Sequence, residues 1–398
     1  SDGKARGITG LWSPVGDPFD VDYVAHEMGH QFGGNHSYNN SCGGNQSEST
    51  AWEPGSGSTI MAYAGICDPN VQNNSDAHFH AGSVAEMTFF ITTAGNCGQN
   101  MTTGNIPPVV DAGRNFTIPV STPFILKGTA TDVNNDILTY CWEQMDTEIS
   151  VQPPQPDSWN GPNFRSLPPV NSSERYMPNL QSVLNNNLTP TWEVTSDVER
   201  IFNFALTVRD NNVAGGQLVT DNMVVNVSGT AGPFLVTAPN TNVSWQAGTN
   251  RQVTWNVAGT TANGVDTPYV DILLSSNGGY DYPTILALKV PNDGSETVTV
   301  PNTIGSGNRI MVRGHDNIFY DLSNTNFTVA APTATMAIAV TGEQNKSACK
   351  GNNVVYNFAY DVYGGFSGTP TITVSGNPAG SSISFNPVAG NAAAGLVM

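Results

Sequence analysis

Histidine is scarce in this sequence, six in 398 residues, and positive charge is outweighed: 14 Lys and Arg stand against 32 Asp and Glu, a net charge of −18. A chain this acidic offers no basic surface to a phosphate backbone, which excludes nucleic acid as a partner. Its negative charge serves solubility, with some carboxylates available to calcium. No run of 18 apolar residues occurs, so no helix is expected to span a membrane. Charged residues reach only 12% in total, yet Val, Ile, Phe and Trp recur throughout, which argues against disorder. Asn, Ser, Thr, 41 Gly and 26 Pro make up the difference, the texture of an extracellular protein built from short strands and polar turns. The opening "SDGKARGITG" lacks the apolar stretch of a signal peptide, and the expectation is that the natural chain starts further upstream. Cysteines 42, 67, 97, 141 and 349 are odd in number. Cys42, Cys67 and Cys97 are placed to staple loops, but the sequence does not fix the pairing. An oxidising, secreted or cell-surface location follows from this usage.

Against that scarcity, three of the six histidines fall within "VAHEMGHQFGGNH", Val24 to His36. The surrounding pattern predicts a helix. Asp17 can cap it, Pro18 fits the first helical position, and Asp20 and Asp22 suit its positive end. Val21, Val24, Met28 and Phe32 recur at threes and fours as a core-facing stripe, and Gly33-Gly34 stops the helix. Four residues apart, His26 and His30 lie on one face. Gly33 permits a sharp turn that can bring His36 back as a third nitrogen ligand. Three neutral ligands with one open position describe a catalytic zinc site. Zinc there would acidify a water and polarise a carbonyl, and Glu27 would pass the water's proton to the leaving amine. By chance this spacing arises on the order of once in a hundred thousand chains.

"HEMGHQFGGNH" resembles H-E-x-x-H-x-x-G-x-x-H, the zinc motif of the metzincin metallopeptidases. The resemblance implies a Met-turn beneath the ligands, and "SGSTIMAYAG" supplies Met61. It also implies a role for Tyr63, which in astacin-like and serralysin-like relatives stabilises the tetrahedral intermediate; a buried structural tyrosine is the competing reading. Ile60 and Tyr63 depart from the Cys-Met and following Pro of the reprolysin turn. "GSGSTIMAYAGIC" and "DAHFHAGSVAEM" are similar to reprolysin-like enzymes secreted by Bacteroidetes-type bacteria. The family places a twisted sheet before the zinc motif, and only 25 residues precede His26. The expectation is therefore a catalytic domain covered only in its lower half, about residues 1–97, that holds zinc weakly and cleaves poorly. His78 and His80 are expected to be structural.

A second helix is expected from Ser83, with Ser83 and Glu86 as a capping box and Val84, Met87, Phe90 and Ile91 as its apolar face. From "NIPPVV" at 105–110 the pattern turns to alternating strands, "ILTYCWEQ", "FNFALTVRD" and "MVVNV". The expected fold class is a partial α+β metzincin domain followed by all-β sandwiches. Its divisions are 1–104; 105–229, with an insertion at about 147–197 and a short helix near 178–186; 230–330; and a partial β-unit at 331–398 whose C-terminus also looks truncated. "GTATDVNNDILTYCWEQ" resembles PKD and related Ig-like domains, which implies that Trp142 is a core residue. Asp132, Asn134 and Asp136 offer oxygens at alternate positions, read either as a calcium site or as an Asx-rich turn. The 230–330 unit looks like another Ig or fibronectin-type sandwich. The final unit is similar to modules that precede sorting domains of type IX-secreted proteins. Two functions follow. One is a secreted zinc endopeptidase acting on proteins or peptides. The other is a surface adhesin or glycan- or protein-binding β-sandwich protein, with cell-surface or matrix ligands, that carries an inactive protease remnant.

Overall fold

A computed structural model describes residues 9–95, 98–99, 101–333, 335–340, 342–367, 374–386 and 393–397. It has two compact units, one of residues 1–182 with 187–229, the other of 183–186 with 230–398.

The first unit opens with a short helix α1 (Asp17–Phe19), a π-helical turn over Asp20–Ala25, and α2 (His26–Gln31). The predicted helix is thus present in pieces. Its cap is Gly16, at φ 76°, rather than Asp17, which lies inside the first turn. The expected core stripe is not buried: Met28 is 50% and Phe32 42% exposed, and the buried face carries His26 and Gly29 instead. After a long loop comes α3 (Ala81–Thr93), two residues earlier than predicted. His80 caps it, its Nδ1 accepting the Gly82 N–H, while Ser83 is fully buried in the first turn. Gly82 lies flat against Trp52, where an added Cβ would come within 2.5 Å of the indole. That contact fixes the helix start more firmly than the Ser83–Glu86 pair could.

The sandwich of this unit follows as β1 (Val109–Asp111), β2 (Phe116–Pro119), β3 (Phe124–Lys127), β4 (Thr129–Thr131), β5 (Thr139–Gln144), β6 (Glu174–Met177), β7 (Arg200–Arg209) and β8 (Leu218–Ser228). One sheet runs β2-β8-β7-β5, with β1-β4 and β3-β6 as further pairs. Period-two alternation along β7 sends Phe202 and Phe204 inward against Phe124 and Phe164. Each such ring contributes about 1.5–3 kcal/mol by leaving water. Trp142 is buried and donates its Nε1–H to the Ser173 carbonyl at 3.0 Å. Strand β6 comes from within the stretch read as an insertion, and buried arginines hold that stretch down. Arg175 pairs with Glu193 at 3.0 Å, and Arg200 donates to the Gly161 carbonyl at 2.7 Å. The same stretch also touches the histidine-bearing loops: Gln152 accepts the Gly55 N–H at 2.8 Å, and Asn39 accepts the Ser150 N–H at 3.0 Å.

From residue 230 onwards, the regular elements among the described residues of the second unit are all strands: β9 (Leu235–Ala238), β10 (Ser244–Gln246), β11 (Asn250–Asn256), β12 (Tyr269–Ser275), β13 (Thr284–Pro291), β14 (Ser295–Thr299), β15 (Gly305–Gly314), β16 (Tyr320–Leu322), β17 (Phe327–Ala330), β18 (Thr335–Val340), β19 (Val355–Tyr363), β20 (Ser384–Asn386) and β21 (Ala393–Val397). The sheet orders are β10-β17-β15-β12-β13 with β16 beside β15, β14-β11-β9, and β18-β19-β21-β20.

Asp321 on β16 is buried and accepts the Val236 N–H at 2.6 Å. Burial pushes its carboxyl from 3.8 up to about 7, against the pull of the hydrogen bonds from Val236 and Leu322. The folded unit then holds a proton between these values that the unfolded chain releases. Its contribution to stability is full below about pH 4 and is lost as pH rises through 7. Asp321→Asn should flatten that slope, measured as the melting temperature of the second unit between pH 5 and 8.

Candidate metal centre

The centre is assembled by α2, the turn after it and the loop of residues 56–67. The last turn of α2 ends at Gly33, whose φ of +91° suits glycine. An added Cβ there would also lie 2.9 Å from Phe90. The Gly34 N–H returns to the Gly29 carbonyl at 2.9 Å, so the chain doubles back and carries His36 towards the helix. The Nε2 atom of His30 lies 3.1 Å from that of His26 and 3.2 Å from that of His36. Three imidazoles therefore converge through one ring nitrogen each, forming a group able to hold a metal ion.

The other nitrogen of each ring is already engaged. His26 Nδ1 donates to the Ile60 carbonyl at 2.8 Å, His30 Nδ1 to Gly34 at 2.8 Å and His36 Nδ1 to Asn45 at 2.6 Å. A carbonyl can only accept, so Nδ1 carries the proton and Nε2 is left with its lone pair inward. Burial lowers the His26 pKa from 6.5 to about 4, outweighing the bond to Ile60, with His30 and His36 adding repulsion. It lowers that of His36 as well. Neutral imidazoles with inward Nε2 lone pairs are the donor set zinc takes.

Met61 is fully buried beneath the histidines. A Cβ on Gly29 would come within 2.3 Å of its sulfur, so the position directly before His30 is glycine because the thioether packs there. Tyr63 stands beside the ligands, its ring centroid 4.6 Å from His36 and 5.6 Å from His26. It is hydrogen-bonded to Tyr38, and burial raises its pKa. Glu27, Tyr63, Tyr23, Ala62 and Ile66 line a cavity of about 290 Å³ that opens at His26.

Three residues that hold the site were not singled out by sequence reasoning. Glu53, 1% exposed, accepts hydrogen bonds from Ser37 Oγ at 2.6 Å, Ser58 N at 2.8 Å and Thr59 N at 3.1 Å. It thereby ties the residue after His36 to the Met61 loop. Glu86, expected in a capping box, instead accepts from Asn35 N at 3.0 Å and so steadies the turn before His36. Tyr38 donates to the Asn45 carbonyl at 3.0 Å, the same oxygen that His36 uses. Glu53 in its polar loop carries no pattern that separates it from a surface residue, and the capping-box pattern of Glu86 pointed to another role; only "HSY", an aromatic two residues after His36, hinted at Tyr38.

A disulfide joins Cys42 to Cys67, closing the loop that contains Met61. Cys97 lies outside the described residues, and Cys141 and Cys349 are free. His80 stacks on Trp52 with centroids 5.3 Å apart, and His78 faces Glu143 at 3.6 Å. Burial opposes ionisation of Glu143, but His80, His78 and Ser166 outweigh it and hold the carboxyl well below the usual range. Of the oxygens read as calcium ligands, Asp132 and Asp136 gather with Asp210, while the Asn134 side chain turns away to accept the Ile106 N–H at 2.9 Å.

The fold and this centre define a metallopeptidase-like N-terminal region followed by β-sheet domains. Residues 3–88 match the model of the metallo-peptidase family M12B, reprolysin-like. No curated protein matches the chain. Among solved structures, the eight N-terminal Ig domains of Down syndrome cell adhesion molecule share 12% identity, covering 75% of this chain and 37% of that one at a TM-score of 0.17. The four N-terminal Ig domains of a Dscam1 isoform share 13%, covering 64% and 58% at 0.21. The Bacteroides ovatus mixed-linkage glucan utilization protein SGBP-B shares 12%, covering 65% and 65% at 0.17. The chain spans less than two thirds of each of these structures. No helix among the described residues is long and apolar enough to cross a membrane.

Proposed function

We propose that this chain carries the metal centre of a secreted zinc endopeptidase that hydrolyses peptide bonds in proteins. The observation that supports this best is the convergence of three Nε2 atoms whose rings are each fixed through Nδ1. His26, His30 and His36 would hold the ion. Zinc bound there supplies a Lewis acid and lowers the pKa of water towards 7. Glu27, at the mouth of the cavity, takes the proton of the attacking water and returns it to the leaving nitrogen. Tyr63, its ring 4.6 Å from that of His36, gives up its bond to Tyr38 and donates its hydroxyl proton to the oxygen that gains charge as the carbonyl is attacked. The cavity beside Glu27 takes a substrate side chain and fixes the peptide for attack. The Cys42–Cys67 bridge supports an oxidising, extracellular setting.

Zinc titration into the metal-free chain tests the proposal. One ion per chain is expected for the unsubstituted protein. His30→Ala, which removes the ring nearest both others, should weaken uptake at least about 100-fold. Uptake that is unchanged in His30→Ala would sink the proposal.

A further inference from the structure

Glu143 lies on β5 of the sandwich, not in the histidine-bearing region, and is fully buried. Its Oε1 lies 3.6 Å from His78 Nε2, and Ser166 bridges the two, donating to Oε1 and standing 3.3 Å from His78 Nε2. Its Oε2 accepts the Ala81 N–H at 2.8 Å. Arg209 on β7 adds a bond to the Phe79 carbonyl at 3.3 Å. Two neighbouring strands of the sandwich therefore grip residues 78–81. The grip continues inward. The His78 carbonyl accepts the Ile60 N–H at 3.0 Å, and the Ile60 carbonyl accepts His26 Nδ1–H at 2.8 Å.

His78, Cys141 and Glu143 lie close enough together to suggest a second metal site. The charges oppose it. Burial and the Glu143 carboxylate push the Cys141 thiol well up, and the positive charge nearby already comes from Arg209 and Arg175. A cation there would meet a protonated thiol and two guanidinium groups, whereas the hydrogen bonds from Ser166 and the Ala81 N–H already satisfy the carboxylate.

We infer that Glu143 is a positioning residue for the metal centre: through His78 and Ile60 it sets where the ring of His26 sits. The sandwich is then part of the catalytic apparatus and not an appended module. This rests on the proposed zinc site. A ligand held by a second partner loses affinity about 10–100-fold when that partner is lost; one link further away, the effect falls at the lower end.

The test uses the 398-residue chain loaded with cobalt(II), read by its ligand-field bands, and the zinc-loaded chain, read by the rate of zinc loss to a chelator. Glu143→Gln keeps the shape and an acceptor for Ala81 but drops the charge facing His78. It should shift the cobalt bands and speed zinc loss about 10-fold. Ser166→Ala should move both readouts the same way by less. Glu174→Gln, on the same sandwich but in an exposed pair with Lys127, should move neither. A lowered melting temperature for Glu143→Gln with unchanged bands and unchanged zinc loss would make Glu143 a mere staple and overturn the inference. If Glu143→Gln does not fold, unchanged bands in Ser166→Ala overturn it equally. Failure of the unsubstituted chain to take up either metal overturns the zinc site itself, and this inference with it.

Discussion

Replacing Glu27 by glutamine should leave one zinc per chain in place and reduce single-turnover hydrolysis of a fluorogenic peptide by about 10²–10⁴-fold. The two halves of the result come from different atoms. On the proposed reading, zinc uptake rests on three Nε2 nitrogens, and Glu27 contributes none of them. Its carboxylate lines the cavity next to His26, so what it supplies is a proton acceptor beside the attacking water. Glutamine has the same shape and no usable basicity. A structural role for Glu27 would show as lost metal or a lowered melting point, and the adhesin reading would show as no hydrolysis to lose. A variant that keeps both its metal and its hydrolysis would remove Glu27 from the chemistry.

The second large effect is expected at Glu53, far from any reacting atom. Glu53→Ala should destabilise the first unit by about 3–5 kcal/mol, since it strands several buried donors together. Those donors are the backbone N–H groups of Ser58 and Thr59 and the hydroxyls of Ser37 and Thr59, all of which point at one carboxylate. Glu53→Gln retains acceptors on one side only and should cost less. Denaturant unfolding followed separately for the two units would show the first transition moving and the second staying. Equal movement of both, or a loss below about 1 kcal/mol, would mean that water replaces the carboxylate.

Much of the convergence of the three histidines was legible in the sequence because it is local. His26 and His30 are one helical turn apart, and Gly33 is the residue a reversal needs. The strands were legible for a similar reason: in "FNFALTVRD" Phe202, Phe204, Leu206 and Val208 recur at every second position, and the stretch forms most of β7. What was not legible depends on tertiary contacts. The expected stripe of Val21, Val24, Met28 and Phe32 obeys helical periodicity, yet the helix buries its histidine and glycine face, because Met61, 32 residues beyond Gly29 in the sequence, packs there. The Ser83–Glu86 box satisfied the local rule and lost to a packing contact, Gly82 against Trp52. Asn134 had the spacing of a ligand and spends its oxygen on a backbone amide. Glu53 and Glu143 look like ordinary surface acids in one dimension, and Glu86 like a helix cap; only the folded chain shows whose N–H groups they receive.

The carbonyls that fix the three imidazoles belong to Ile60, Gly34 and Asn45, and all are main-chain oxygens. The tautomer of each ring is therefore encoded by the path of the backbone and not by any side chain. Drift at positions 60 and 45 can exchange one residue type for another without reversing a ring, so long as the loop keeps its course. A protein built this way can diversify the rim around its three histidines while the orientation of the rings is inherited unchanged.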